Sequence, residues 1–178
     1  MAKPGNHISL RSLIILIFLL LVTACGQTYE GDEFTFSAPF GFKTKQYEIP
    51  DEVGSDNASI PLLFSQNGSV YLQVYRQQIP AGGDLETVYN DSKTRSIERS
   101  SHYQFISQEE IEIFDRPGIE YIYREFSGEP YWQRREIWVD NNGQAYALVC
   151  SHPADATPGL VIPVTEQCIS LLEGFKFE

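Results

Sequence analysis

Hydrophobic and polar positions change rhythm several times along the chain. Leu13 to Val22 is unbroken hydrocarbon. A polar stretch from Thr28 to Glu33 follows, and then Phe34-Thr-Phe-Ser-Ala alternates with the period of a strand. Pro39-Phe-Gly-Phe reads as a turn with aromatic flanks, and Asp51 to Ser59 as a polar loop. Ile60 to Ser65 and Ser69 to Ile79 form two apolar-rich runs around Asn67-Gly68, a strong hairpin signal. Gly82-Gly83-Asp84 breaks the pattern, and Asp84 is placed to cap a helix over Leu85 to Glu98. The apolar face predicted for that helix is Leu85, Val88, Tyr89 and Ile97.

The second half reads as hairpins. Phe105 to Phe114 is extended, with Ile111 and Ile113 alternating with acids. Arg116-Pro117-Gly118 predicts a turn into Ile119 to Phe126, and Gly128-Glu129-Pro130 another into Tyr131 to Asp140. Asn142-Gly143 predicts a hairpin into Gln144 to Ser151. A loop with Pro153, Pro158 and Gly159 leads to a last helix, in which Pro163 is tolerated only near the first turn. Gly174 ends that helix and Phe175-Lys-Phe follows. Strands, helix, antiparallel meander and helix give an α+β class: a mostly antiparallel sheet flanked by helices, as one domain over 34–178.

The hydrocarbon run is about half of the ~20 residues a spanning helix needs. With Lys3 and Arg11 before it and the small residues Thr23 and Ala24 after it, it suits the apolar region of a secretory signal. Val22-Thr23-Ala24-Cys25 resembles the bacterial lipobox, with Val where Leu is commonest and Thr at the next position. That resemblance implies a signal peptide over 1–24, lipid on the Cys25 thiol and a short tether over 25–33. The alternatives are an ordinary signal peptide with a chance cysteine, or a short uncleaved anchor. Two or three acyl chains hold a protein on a bilayer where one holds it only marginally. The expected location is the extracytoplasmic face of a cell membrane or outer membrane; Gly26 does not carry the Asp that favours inner-membrane retention.

Charge narrows the partners. Residues 1–24 hold two of the 13 Lys and Arg and none of the 24 Asp and Glu, so the remaining 154 residues carry a net charge of −13. Such acidity disfavours nucleic acid and anionic lipid surfaces, since both need positive charge on the protein. With Cys25 assigned to lipid, Cys150 and Cys168 remain as a pair in an oxidising compartment. Strand alternation puts Cys150 with Tyr146 and Leu148; helical spacing puts Cys168 with Thr165, Ile169 and Leu172. Both sulfurs then face one strand–helix interface, and a disulfide is expected, with two buried free thiols as the alternative.

Phe34, Phe36 and Pro39, the strand Tyr146-Ala-Leu-Val-Cys-Ser and the ending Leu171-Leu-Glu-Gly-Phe-Lys-Phe together resemble the PsbP-like and DcrB-like superfamily. The resemblance covers most of residues 30–178. It implies a PsbP-like sheet flanked by helices and a largely non-enzymatic role, and it transfers no functional residue.

Recognisable catalytic chemistry is sparse. Ser151, His152 and Asp155 suggest a triad only superficially, because neighbours on a strand point to opposite faces and no Gly-x-Ser-x-Gly elbow exists. His152 is expected at a strand end facing solvent, and His102 in an exposed connector. Asp51, Glu52, Asp56 and Asn57 carry oxygen ligands of the type calcium takes, but no metal motif contains them, and no metal or other cofactor is expected. Glu109, Glu110 and Glu112 read as a solvated strand edge. Alternation puts Trp132, Arg134, Glu136 and Trp138 on one face of their strand. Exposed, Trp132, Arg134 and Trp138 would form a binding patch; the favoured reading makes both tryptophans core, with Arg134 paired to Glu136.

The sequence therefore points to a membrane-anchored, non-catalytic binding or assembly module of the cell envelope, whose partners are the bilayer and an envelope protein. The rival is an extracytoplasmic enzyme such as an envelope-polymer hydrolase. Cys25→Ser is expected to abolish incorporation of a metabolic fatty-acid probe and to deplete the membrane-bound fraction; equal labelling of both proteins would refute the anchor.

Overall fold

The computed structural model describes residues 27–31, 33–48, 59–126, 131–154 and 166–178. Cys25, the acidic loop residues Asp51, Glu52, Asp56 and Asn57, and Asp155 lie outside them. The described elements are β1 (Thr28–Glu30), β2 (Phe34–Ser37), β3 (Lys43–Gln46), β4 (Ile60–Asn67), β5 (Val70–Gln78) and α1 (Leu85–Arg99). They continue with β6 (His102–Ile113), β7 (Arg116–Phe126), β8 (Trp132–Asn141), β9 (Gln144–Pro153), α2 (Glu166–Glu173) and β10 (Phe175–Phe177).

Seven strands pair antiparallel in the order β3-β4-β5-β9-β8-β7-β6, and β1-β2-β10 form a separate antiparallel sheet. Helix α2 and the small sheet cover one face of the large sheet, burying Phe34, Phe36, Leu72, Val74, Leu148 and Phe175. Helix α1 lies on the other face, over Tyr121, Tyr123, Trp138, Ala145 and Ala147. The α+β class with a mostly antiparallel sheet is thus the observed one. Among the described residues no helix is long and apolar enough to cross a membrane.

Two hairpin signals act as expected. Asn67 pairs with Val70 across Gly68, which has φ of 58°. Asn142 and Gly143 both take positive φ, the geometry of a two-residue turn that matches strand twist. The β6–β7 turn is different. Ile113 pairs with Arg116, so Phe114 and Asp115 make the turn at φ of 56° and 58°, and Pro117-Gly118 belongs to β7. Pro117 is tolerated because β8 pairs with β7 only from Gly118 onward, so no bond to β8 is lost. At Gly118 a Cβ would stand 2.8 Å from the Trp138 carbonyl oxygen, which keeps the position side-chain-free. Phe114 accepts a left-handed backbone because its ring packs on Phe175 and Phe177, each centroid 5.6 Å away.

Several expectations shift at the ends of the chain. The stretch read as a polar tether contains β1, which pairs with β2 from Thr28↔Ser37 to Glu30↔Thr35. Tyr29 packs on Phe34 at 5.0 Å, and Glu33 pairs with Arg76 and accepts the Tyr146 hydroxyl at 2.8 Å. Strand β3 carries no alternating apolar pattern because it is an edge strand, held through Thr44 on Ser65 at 3.0 Å. On α2 the buried positions are Cys168, Leu171 and Leu172, while Ile169 is 42% exposed. On α1, Asp84 caps as expected, accepting the Thr87 amide at 2.8 Å. Ile97 points away, 44% exposed, because nine residues rotate it half a turn from Val88. At Gly174 a Cβ would collide with the Ser37 carbonyl oxygen, so only glycine lets the chain turn from α2 into β10 here.

Cys150 on β9 and Cys168 on α2 are joined as a disulfide, with Cα atoms 5.8 Å apart. The loop it closes spans 18 residues of sequence separation. Restricting the unfolded chain over a loop of this order contributes roughly 3 kcal/mol. Cys168→Ala should lower the unfolding free energy of the non-reduced protein, read from denaturant titration, by about that amount, and reductant should bring wild type down to the variant. Coincident curves without reductant would contradict the bond's contribution.

Candidate binding cleft beneath helix α1

The face that α1 turns to the sheet changes character along its length. Leu85, Val88 and Tyr89 occupy it in the first turns, and Val88 and Tyr89 are fully buried. Ser92, Arg95, Ser96 and Arg99 continue the same i, i+3, i+4 progression. The first half of the helix therefore packs on apolar side chains, and the second half roofs a cleft of about 510 Å³. The floor comes from Gln73 and Tyr75 on β5, Tyr123 and Glu125 on β7, Arg134, Glu136 and Trp138 on β8, and Ala147 and Val149 on β9. Small side chains at 147 and on the helix leave this volume open.

A polar network is built into the floor. Glu136 accepts the Tyr123 hydroxyl at 2.7 Å on one oxygen and the Trp138 indole N–H at 2.9 Å on the other. Arg134 forms an ion pair with Glu125 and donates to the Ser151 hydroxyl at 3.3 Å. Burial pushes the Glu136 carboxyl above its ordinary range, against the donors Tyr123 and Trp138 and the charge of Arg134. Burial likewise raises Tyr75, and it raises Tyr123 well above the ordinary phenol, with the Glu136 charge adding to the effect.

Of the anticipated patch, Trp138 is 3% exposed and serves the floor, so it offers no surface to a partner. Trp132 is half-buried, edge-on to Tyr71 at 5.2 Å. Arg134 does line the cleft, but its partner is Glu125 rather than Glu136: the two carboxylates compete, and the indole and phenol satisfy Glu136. Ser151 lies beneath Arg134, whereas His152 is on the opposite face and buried, its Nδ1 3.0 Å from the Pro153 carbonyl oxygen. The expected solvent-facing histidine is therefore an interior one, because β9 is covered on both faces. His102 is exposed, as are Glu109, Glu110 and Glu112 on the edge strand β6. Among the described residues no three His, Cys, Asp or Glu side chains converge as metal ligands. Arg95, Arg99, Ser92, Ser96 and Glu125 were not singled out from sequence; the legible signal was an α1 stripe that turns polar while still facing the sheet.

The architecture matches a solved structure end to end. The solution structure of cyanobacterial PsbP (CyanoP) from Synechocystis sp. PCC 6803 superposes with a TM-score of 0.59 at 14% identity, over 100% of this chain and 99% of that one. The fold is PsbP-like. Looser matches are a protein of Bacteroides thetaiotaomicron VPI-5482 (TM-score 0.48, 9% identity, 86% of this chain and 48% of that one) and a Pseudomonas aeruginosa protein of unknown function (TM-score 0.43, 10% identity, 78% and 98%). No family model matches the chain, and no curated protein matches its sequence.

The raised carboxyl of Glu136 sets a pH dependence. Between the unfolded and folded pKa values the native PsbP-like domain binds more protons than the unfolded chain, so stability falls as pH rises through that window. Glu136→Gln should flatten this limb of the profile of denaturant midpoint against pH, measured from about pH 4 to pH 7. Parallel profiles for the two proteins would contradict the assignment.

Proposed function

We propose that this chain is a lipid-anchored, extracytoplasmic accessory module of the cell envelope, which binds an acidic group of a partner protein in the cleft under α1 and does no chemistry on it. The observation that carries this reading is the pair Arg95 and Arg99. They stand at i, i+4 on one helix face, where like charges repel by a few tenths of a kcal/mol. Among the described residues neither is ion-paired to a carboxylate. Arg99 donates its Nε–H to the Arg95 carbonyl at 3.1 Å, and both side chains line the cleft. A carboxylate or phosphate seated between them relieves that repulsion and gains charge-assisted hydrogen bonds, while Tyr75, Ala147 and Val149 receive an apolar stem. A volume of about 510 Å³ is in the range of ordinary ligand sites.

The hydrolase reading would use Glu136 as an acid, and its raised pKa is the feature that favours it. Both Glu136 oxygens, however, already accept hydrogen bonds from Tyr123 and Trp138. A proton donor needs an oxygen turned toward substrate. The PsbP-like fold supports the accessory reading on analogy alone.

Crosslinking in intact envelopes should capture one discrete protein with wild type. Arg95→Gln with Arg99→Gln should reduce the yield about tenfold, the effect of losing one or two charged hydrogen bonds. Capture unaffected by the double substitution would remove the cleft from the interaction. Hydrolysis of envelope polysaccharide by purified chain, abolished in Glu136→Gln, would overturn the non-catalytic reading.

A further inference from the structure

The first described residue, Gln27, is fixed to the domain. Its carbonyl accepts the Ala38 amide at 2.9 Å, and its side-chain oxygen accepts the Thr44 amide at 3.1 Å. Only Gly26 separates it from Cys25, and two residue steps span at most about 7 Å. A lipid on Cys25 therefore leaves almost no tether, and whatever surrounds Gln27 must lie at the bilayer surface.

What surrounds it is unusual for this chain. Between Ala38 and Thr44 the backbone makes a tight turn, with the Phe42 amide donating to the Pro39 carbonyl at 3.2 Å and Gly41 at φ of 88°. Glycine at that position gives a type II turn, which holds the preceding residue at the tip. That residue is Phe40, 80% exposed, whereas Phe42 turns inward and is buried. Lys43 and Lys45 follow on β3, both exposed, on an edge of the large sheet. An exposed aromatic ring and two lysines are thus gathered at the anchored end of a chain whose net charge beyond residue 24 is −13.

We propose that this edge is a membrane-facing surface, in which Phe40 enters the headgroup region beside the Cys25 lipid and Lys43 and Lys45 meet anionic lipid headgroups. An apolar ring buried at the interface, flanked by basic side chains, is the arrangement by which surface-bound proteins add to a lipid anchor. Lys43 and Lys45 place two positive charges at that edge, against the repulsion the net charge of −13 would meet at an anionic surface. The opposite orientation would leave Phe40 in water.

This inference rests on the anchored reading of the chain, and its test separates the two. The full chain is reconstituted in vesicles of phosphatidylglycerol and phosphatidylethanolamine, and Phe40→Trp is compared with unchanged protein to isolate the added emission. Brominated phospholipid should quench that emission, acrylamide should not, and Lys43→Gln with Lys45→Gln should weaken the lipid quenching about twofold or more. If fatty-acid labelling shows Cys25 lipidated while the added emission is quenched by acrylamide alone, the orientation is overturned and the anchor stands. Failure of labelling overturns the anchor, and the orientation with it.

Discussion

Strand β9 has hydrogen-bonded neighbours on both edges, β5 and β8, and is covered on both faces. Such a strand has no solvent side on which to place polar residues, and its sequence from Ala145 to Cys150 is apolar throughout. The two faces differ in size, however. Tyr146, Leu148 and Cys150 fill the side that meets α2 and the small sheet. Ala145, Ala147 and Val149 point toward α1 and fill much less. The disulfide from Cys150 fixes the well-filled side. The thinly filled side, beneath a helix that turns polar after two turns, is where the cleft opens.

The floor of the cleft is a buried polar network, and such networks are weak sources of stability. A buried ion pair loses in desolvation much of what it gains in attraction, while removal of one partner leaves a costly unpaired charge. Glu125 with Arg134, and Glu136 with Tyr123 and Trp138, are therefore better understood as positional constraints. Each member restricts the others, so the floor keeps one arrangement beneath Arg95 and Arg99. The raised Glu136 carboxyl reflects its burial, which the hydrogen bonds from Tyr123 and Trp138 and the charge of Arg134 offset only in part.

At the other face the aromatic rings of Phe34, Phe175 and Phe177 bind three distant parts of the sequence into one layer. Phe34 stacks on Phe175 at 4.7 Å, and Phe177 meets Tyr146 edge-on at 5.0 Å. Glu33 reaches the same tyrosine, whose hydroxyl is shifted upward by burial and by that carboxylate. Residues 27–31 and 33 are consequently part of the folded body.

Local pattern determined much of this. Alternation with the turns Gly68-Ser69 and Asn142-Gly143 set the hairpins β4–β5 and β8–β9, Asp84 set the start of α1, and the strand and helix periods aimed Cys150 and Cys168 at one interface, because these features depend on neighbours within a few residues. Tertiary structure decided what depended on distant partners: that the tether segment pairs as β1, that Phe114 rather than Pro117 makes a turn, that His152 is interior, and that Arg134 chooses Glu125. It also decided that Arg95 and Arg99 share a cleft with residues from four strands. Spacing along one element says which side chains share a face, but which surface covers that face is set by packing between elements far apart in sequence, where burial and charge pairing outweigh local preference.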